Sequence, residues 1–290
     1  MTMIKKDEKP RQSLISSSNY PKLNIEKIAM VSRDYNKKDE NGIKDFSNSF
    51  ENILLYLDEQ ACDSIVFSLY TLVKRDSFDV IQILNNIDLK NIKSIFIEEF
   101  IDDNPERKAC ENVVYYKSTD NWKAYKYTQK FGTLSYTQTF ERETIEPFKK
   151  EVKEQRNFGN STVLLCGETN IVKYSQKNKK VEDKFDFFSS LDDDIKIIIN
   201  PIHDKMIRFE MKLKREYLSR NKRYVISVWN KGKKDKNGKT RDGDKSPWTV
   251  YYDGYEKTIQ QISHNISNNI DLQIGILDTK NFNMEKIDIL

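Results

Sequence analysis

Short runs of β-forming apolar residues recur along this chain, and between them the apolar residues take helical spacing. KLNIEKIAMVS (22–32), CDSIVFSLYTL (62–72), IKSIFIEEF (92–100), ENVVYYKS (111–118), TVLLCGE (162–168), DIKIIINP (194–201), YVISVWN (224–230) and SPWTVYYDG (246–254) read as strands. FSNSFENILLYLDEQ (46–60), SFDVIQILNNI (77–87), a charged segment after residue 168, and KMIRFEMKLKREYLSR (205–220) read as helices, the last with Ile207, Met211, Tyr217 and Leu218 near one stripe. A strand that is apolar on both sides must be covered on both faces, which a largely parallel sheet flanked by helices provides. The expectation is an α/β protein with no internal repeat and no domain boundary after a polar tail, 1–22 forming the tail and 23–290 the domain.

Composition narrows the setting. The 290 residues carry 49 basic and 45 acidic side chains, so charge is nearly balanced and interspersed, which argues against a nucleic-acid partner. The start of the chain, MTMIKKDEKPRQSLISSSNYPK, has no apolar core of the kind a signal peptide needs, and no run is long enough to span a membrane. Three cysteines, Cys62, Cys110 and Cys166, are too few for a disulfide scaffold, which suits a reducing cytoplasm. Two histidines and no CxxC pair give no ligand set for zinc, so no metal and no cofactor are expected.

The chemistry centres on TVLLCGE. A thiol at the C-terminal end of a parallel strand stands where α/β sheets hold their active sites, and Gly167 permits a sharp turn there. It works as a nucleophile only with a cation or base beside it; otherwise a cysteine in an apolar strand is a small core residue. His203, in NPIHD at the end of the next strand, is one candidate base; its other reading is a cap, with Asp204, on the following helix. Glu168, two residues beyond the thiol, is another candidate, although the turn at Gly167 breaks the strand rule that residues i and i+2 share a face.

The order of segments resembles the nitrilase, or carbon-nitrogen hydrolase, superfamily over roughly residues 25–260. VLLCGE looks like the family's nucleophile strand, IIINP and KLKREYLSR like the strand and helix after it, Asn230-Lys231-Gly232 like its Asn-x-Gly ending, and TVYYDG like the turn beyond. The resemblance implies an α-β-β-α sandwich that pairs as a homodimer and uses a Glu-Lys-Cys triad on a small C–N substrate. Cys166 matches the nucleophile. Lys130, in YTQKFGTL, matches the lysine that stabilises the oxyanion, with Lys126 as the fallback. The glutamate does not match, because Leu69 stands where the family has its base. Glu98 and Glu99, ending the strand that should lie beside Leu69, are then the candidate replacements, with solvated strand-end charges as their other reading.

Two further functions stay open. One is a catalytically inactive module that keeps this sandwich for binding. The other is a Mg²⁺-dependent nuclease built on Asp194, Glu210 and Lys212, a D…ExK-like set whose ExK falls on a helical pattern where such enzymes need a strand. The loop from Gly232 to Thr240 nearly imitates a phosphate-binding loop, but five residues separate its glycines where four are needed, and a strand follows it. It reads as a solvated hairpin loop.

Overall fold

The computed structural model describes residues 21–34, 36–38, 42, 45–74, 78–100, 110–119, 121–131, 142–203, 209–235, 237–240, 246–262 and 271–281. The polar tail therefore lies almost wholly outside the described residues. The first half of the chain forms β1 (Lys27–Ser32), α1 (Phe50–Glu59), β2 (Ser64–Phe67), β3 (Leu72–Val73), α2 (Val80–Asn86), β4 (Ser94–Phe100), β5 (Cys110–Lys117) and β6 (Trp122–Tyr127). Next come α3 (Arg142–Gln155), β7 (Ser161–Val163), a 3-10 turn (Cys166–Ile171), β8 (Lys173–Ser175), β9 (Lys180–Glu182) and α4 (Phe187–Ser190). The chain continues through β10 (Ile197–Pro201), α5 (Phe209–Leu218), β11 (Tyr224–Val228), β12 (Trp248–Tyr252), β13 (Tyr255–Lys257), β14 (Gln261–Ile262) and β15 (Gln273–Asp278).

Two sheets result. The first has the order β14-β15-β1-β2-β4-β5-β6, with β3 also on β4; the second has the order β13-β12-β11-β10-β7. β1, β2 and β4 are parallel, as are β7, β10 and β11. The period-two alternation of strands sorts their side chains. Met30, Val66, Phe96 and Val114 of the first sheet meet Val163, Ile199, Ile226 and Val250 of the second in a core between the sheets. Their neighbours Ala29, Ile65, Ile95 and Val113 face α1 and α2, whereas Leu164, Ile198, Val225 and Tyr251 face α3, α4 and α5. The layers are helix, sheet, sheet, helix: an α-β-β-α sandwich.

The helices dock by the stripes that the sequence carries. Phe50, Ile53, Leu54 and Leu57 of α1 recur at i, i+3, i+4 and i+7 and are all fully buried. Asp79 caps α2, accepting a hydrogen bond from the Gln82 N–H at 3.2 Å.

Several segments depart from the sequence reading. The charged stretch after residue 168 forms the antiparallel pair β8–β9 before the single turn α4, so it is no long helix. The polar stretch before the cysteine strand holds α3, whose Ile145, Phe148 and Val152 keep helical spacing around an internal Pro147. β6 and β15 were not anticipated either. WKAYKY is an edge strand with few apolar residues, and β15 pairs with β1 from the far end of the sequence. The 205–220 helix is described from Phe209 onward.

The entry to β7 is set by close backbone packing. Leu23 donates to the Phe158 carbonyl and accepts from Asn160, both at 3.1 Å, across Gly159 at φ +81°. A Cβ on Gly159 would lie 2.0 Å from the Leu23 carbonyl oxygen. Gly159→Ala is therefore expected to destabilise the protein by about 2 kcal/mol or more, through strain at positive φ and a broken bridge, read as a lower denaturant midpoint.

Candidate functional site

Cys166 begins the 3-10 turn after β7 and does not sit in the strand itself. The strand's end is fixed from both sides. Leu164 N–H donates to the Ile199 carbonyl at 2.9 Å, and the Asn200 side-chain amide donates to the Leu164 carbonyl at 2.6 Å. Ser227 Oγ in turn donates to Asn200 Oδ1 at 2.9 Å. Of the three thiols, Cys62 and Cys110 are pushed up to about 12, by burial foremost, which withholds their reactive thiolate form. Cys166 is half-buried and has an imidazole beside it.

That imidazole is His203, carried past β10 on Ile202, whose N–H donates to the Val228 carbonyl at 2.9 Å. His203 stands beside Cys166, and its Nε2 lies 3.3 Å from Glu98 Oε2. Burial disfavours charging this ring, but Cys166 and Glu98 beside it outweigh burial and raise its pKa to about 10. The ring packs on Tyr70, centroids 4.6 Å apart, which stacks on Phe100 at 4.7 Å. The cap that His203 and Asp204 would give the next helix involves residue 204, which lies outside the described residues.

Strand alternation separates the two glutamates of IFIEEF. Glu98 shares parity with Phe96 and faces the space between the sheets; Glu99 shares parity with Ile97 and faces the α1–α2 side. Glu98 is 1% exposed and accepts the Tyr70 N–H at 2.8 Å. Tyr70 holds φ +63°, a left-handed conformation that costs a bulky residue free energy and here aims its amide at the carboxylate. Glu99 instead accepts the Tyr115 hydroxyl and lies 3.7 Å from Lys74, on the opposite face from Cys166. Leu69 is buried beside this turn, its carbonyl held by the Asn230 amide at 2.7 Å. The carboxylate near the thiol thus comes from the strand next to Leu69's.

Glu168 is fully buried and engaged elsewhere. Its oxygens meet Arg156 at 2.6 and 3.2 Å and accept the N–H groups of Lys130 and Leu165, each at 2.8 Å. Burial raises the pKa of this carboxyl on balance, although the guanidinium and the two amides pull the other way. With a donor on each oxygen, the pair is ionised. Glu168 therefore joins the backbone of Lys130 to the residue preceding Cys166. The Lys130 ammonium pairs with Glu151 at 2.7 Å, and Glu151 also accepts from Arg156 Nε at 2.9 Å. Lys126, the fallback, shares parity with Trp122 on the outer face of the first sheet and pairs with Glu111 at 2.8 Å.

The nuclease set does not assemble. Asp194 is exposed before β10, whereas Glu210 and Lys212 follow its far end on α5, where two residues' separation points them apart. Among the described residues no group of three or more His, Cys, Asp or Glu side chains is arranged to hold a metal ion. No helix among them is long and apolar enough to cross a membrane.

Sequence reasoning missed Glu151 and Arg156, because α3, which carries the first and ends just before the second, was read as a polar stretch. The signal was present as Ile145, Phe148 and Val152 at helical spacing.

No protein-family model matches the sequence, and no curated protein matches it significantly. In structure, the chain is similar to members of the nitrilase superfamily. Against Saccharomyces cerevisiae Nit3, described as a member of branch 10 of that superfamily, identity is 12% and the TM-score 0.43, over 91% of this chain and 96% of that one. Against the C. elegans NitFhit protein the figures are 9% and 0.46, over 90% of this chain and 63% of that one. Against a carbon-nitrogen hydrolase from Helicobacter pylori they are 11% and 0.39, over 89% and 91%.

Proposed function

We propose that this protein is a nitrilase-like thiol hydrolase that cleaves the C–N bond of a small amide. The observation that carries the reading is His203, set beside Cys166 with its Nε2 3.3 Å from the buried Glu98. Nucleophile, base and orienting carboxylate in one chain of contacts is the arrangement that activates a weak nucleophile. With its pKa raised to about 10, His203 holds its proton as an imidazolium beside the thiolate, and Cys166 sulfur attacks the amide carbon. His203 then protonates the departing nitrogen, which leaves as ammonia or an amine. Water, deprotonated by the same imidazole, attacks the thioester, and the carboxylic acid leaves as sulfur is released. Lys130 is the cation we assign to the tetrahedral oxygen, because Glu168 ties its backbone to the nucleophile turn. Homodimerisation and a cytoplasmic location belong to the same proposal, the latter supported by three free cysteines.

The test is ammonia release from a panel of short amides across pH, with Glu98→Gln alongside. Glu98 favours the imidazolium, so its removal lowers the His203 pKa. The alkaline limb of kcat, governed by His203, should move down by about one unit or more, with kcat down roughly tenfold. The sign carries over to stability. A histidine raised from 6.5 to about 10 contributes stability that is complete below the lower value and lost as pH rises toward the upper one. Unfolding free energy should fall between those values, and fall less in Glu98→Gln. An unshifted limb would remove Glu98 from the mechanism, and no ammonia from any amide would remove the hydrolase reading.

A further inference from the structure

Tyr70 is the one aromatic residue at positive φ among those described, at +63°. Asp186, Asn221, Asp253 and Asp271 also adopt that region, and their short polar side chains tolerate it; a tyrosine there is strained. Strain of this kind persists only where neighbouring contacts over-determine it. They do so here. Before Tyr70, the Leu69 carbonyl accepts from the Asn230 amide at 2.7 Å; after it, Thr71 Oγ1 donates to the Ser68 carbonyl at 2.8 Å and accepts the Glu98 N–H at 3.2 Å. Glycine or asparagine would satisfy this turn without strain, so the turn alone does not account for a tyrosine.

The ring does not serve the core. It is half-buried and joins none of the three apolar clusters. Its neighbours are Phe100, stacked at 4.7 Å, and His203, at 4.6 Å. Phe100 ends β4 two residues beyond Glu98 and on the same face, so the ring and the carboxylate reach His203 from adjoining points of one sheet. His203 itself lies past the end of β10, so strand pairing does not set its direction. The charged and titratable groups beside it are Glu98 of β4 and Cys166 of the 3-10 turn, and Cys110 of β5 stands beside Glu98.

We propose that Tyr70 is a positioning residue whose ring, packed on Phe100 and His203, holds the His203 imidazole beside Cys166 and against Glu98. The inference rests on the reading of Cys166 and His203 as nucleophile and base. One residue then fixes both ends of the carboxylate–imidazole contact: its N–H holds Glu98, at 2.8 Å, and its ring holds His203. A catalytic group whose direction is locked by packing stays within the narrow geometry that proton transfer requires. Tyr70 takes no part in the proton transfer itself.

The experiment compares the wild type with Tyr70→Gly, Tyr70→Asn and Tyr70→Phe in the whole chain, with thermal unfolding confirming that each is folded. Glycine and asparagine accept the left-handed backbone and so keep the N–H on Glu98 while removing the ring; phenylalanine keeps the ring. In the first arm, the His203 imidazole is titrated by NMR and told from His264 with His203→Gln. Loss of the ring exposes the imidazole and weakens the partners that outweigh burial. Its pKa should therefore fall from about 10 toward 6.5, by about one unit or more in Tyr70→Gly and Tyr70→Asn, and stay within about half a unit in Tyr70→Phe. In the second arm, kcat for ammonia release should fall at least about tenfold in the two ringless variants with KM within about threefold, and Tyr70→Phe should retain about half of wild-type turnover or more. An unshifted His203 pKa in the ringless variants, whatever their stability, overturns the proposal. A raised KM at unchanged kcat overturns it too, since Tyr70 would then bind substrate. So does Tyr70→Phe as impaired as Tyr70→Gly, since the hydroxyl would then be the group that matters. A lowered His203 pKa in the ringless variants, with no amide turned over even by the wild type, supports the positioning and defeats only the hydrolase reading.

Discussion

Cys166→Ala should release no measurable ammonia, a loss of roughly four orders of magnitude or more, while its unfolding midpoint stays close to that of the wild type. The two halves of this result test different things. The side chain is half-buried in a short turn whose backbone is held by Leu164, Leu165 and Asn200, so loss of one sulfur removes little packing. If Cys166 were a small core residue, alanine would leave activity intact; if it is the nucleophile, nothing nearby replaces it, because Cys62 and Cys110 are held as thiols. His203→Ala should lose nearly as much. Both residues act in one proton transfer, so Cys166→Ala/His203→Ala should be no worse than the poorer single variant. Full activity in Cys166→Ala would end the thiol reading, whatever His203 does.

The fold was legible in the sequence where burial on both faces left wholly apolar runs. KIAMVS, SIVF, SIFIEEF, IIINP and YVISV all form strands, and their parallel pairing follows from the helices between them. It was illegible where polar side chains conceal an element's pattern. α3 hides its apolar stripe among charges, β6 is an edge strand, and β15 finds its place only through pairing with β1 across the whole chain. The site divides in the same way. Cys166 and His203 could be singled out because a thiol and an imidazole at consecutive strand ends are chemically conspicuous. The sorting of Glu98 from Glu99 needed the register of β4 against its neighbours: a one-residue slip would exchange the carboxylate facing His203 for the one facing Tyr115. Glu168 looked like a base by proximity in sequence. It is a structural carboxylate because Arg156, buried just past an unread helix, claims it.

That arginine carries the largest expected stability effect. Arg156→Met should cost about 3–5 kcal/mol, because it leaves Glu168 charged, fully buried and short of its main counter-charge. The methionine keeps much of the apolar volume between Tyr127 and Phe148, whose rings lie 5.3 and 5.6 Å from the guanidinium, so the loss is chiefly electrostatic. Two buried partners often exchange for apolar residues at little cost, but this pair should not. Glu168 also accepts the Lys130 and Leu165 amides, and Arg156→Met/Glu168→Leu leaves both N–H groups unmet, so the double variant should stay at least about 2 kcal/mol below the wild type in urea unfolding. Recovery to wild-type stability would show that the pair serves only itself. Persistent loss, together with lower turnover at unchanged amounts of folded protein, would show that Glu168 and Arg156 hold the turn of Cys166 against the backbone of Lys130.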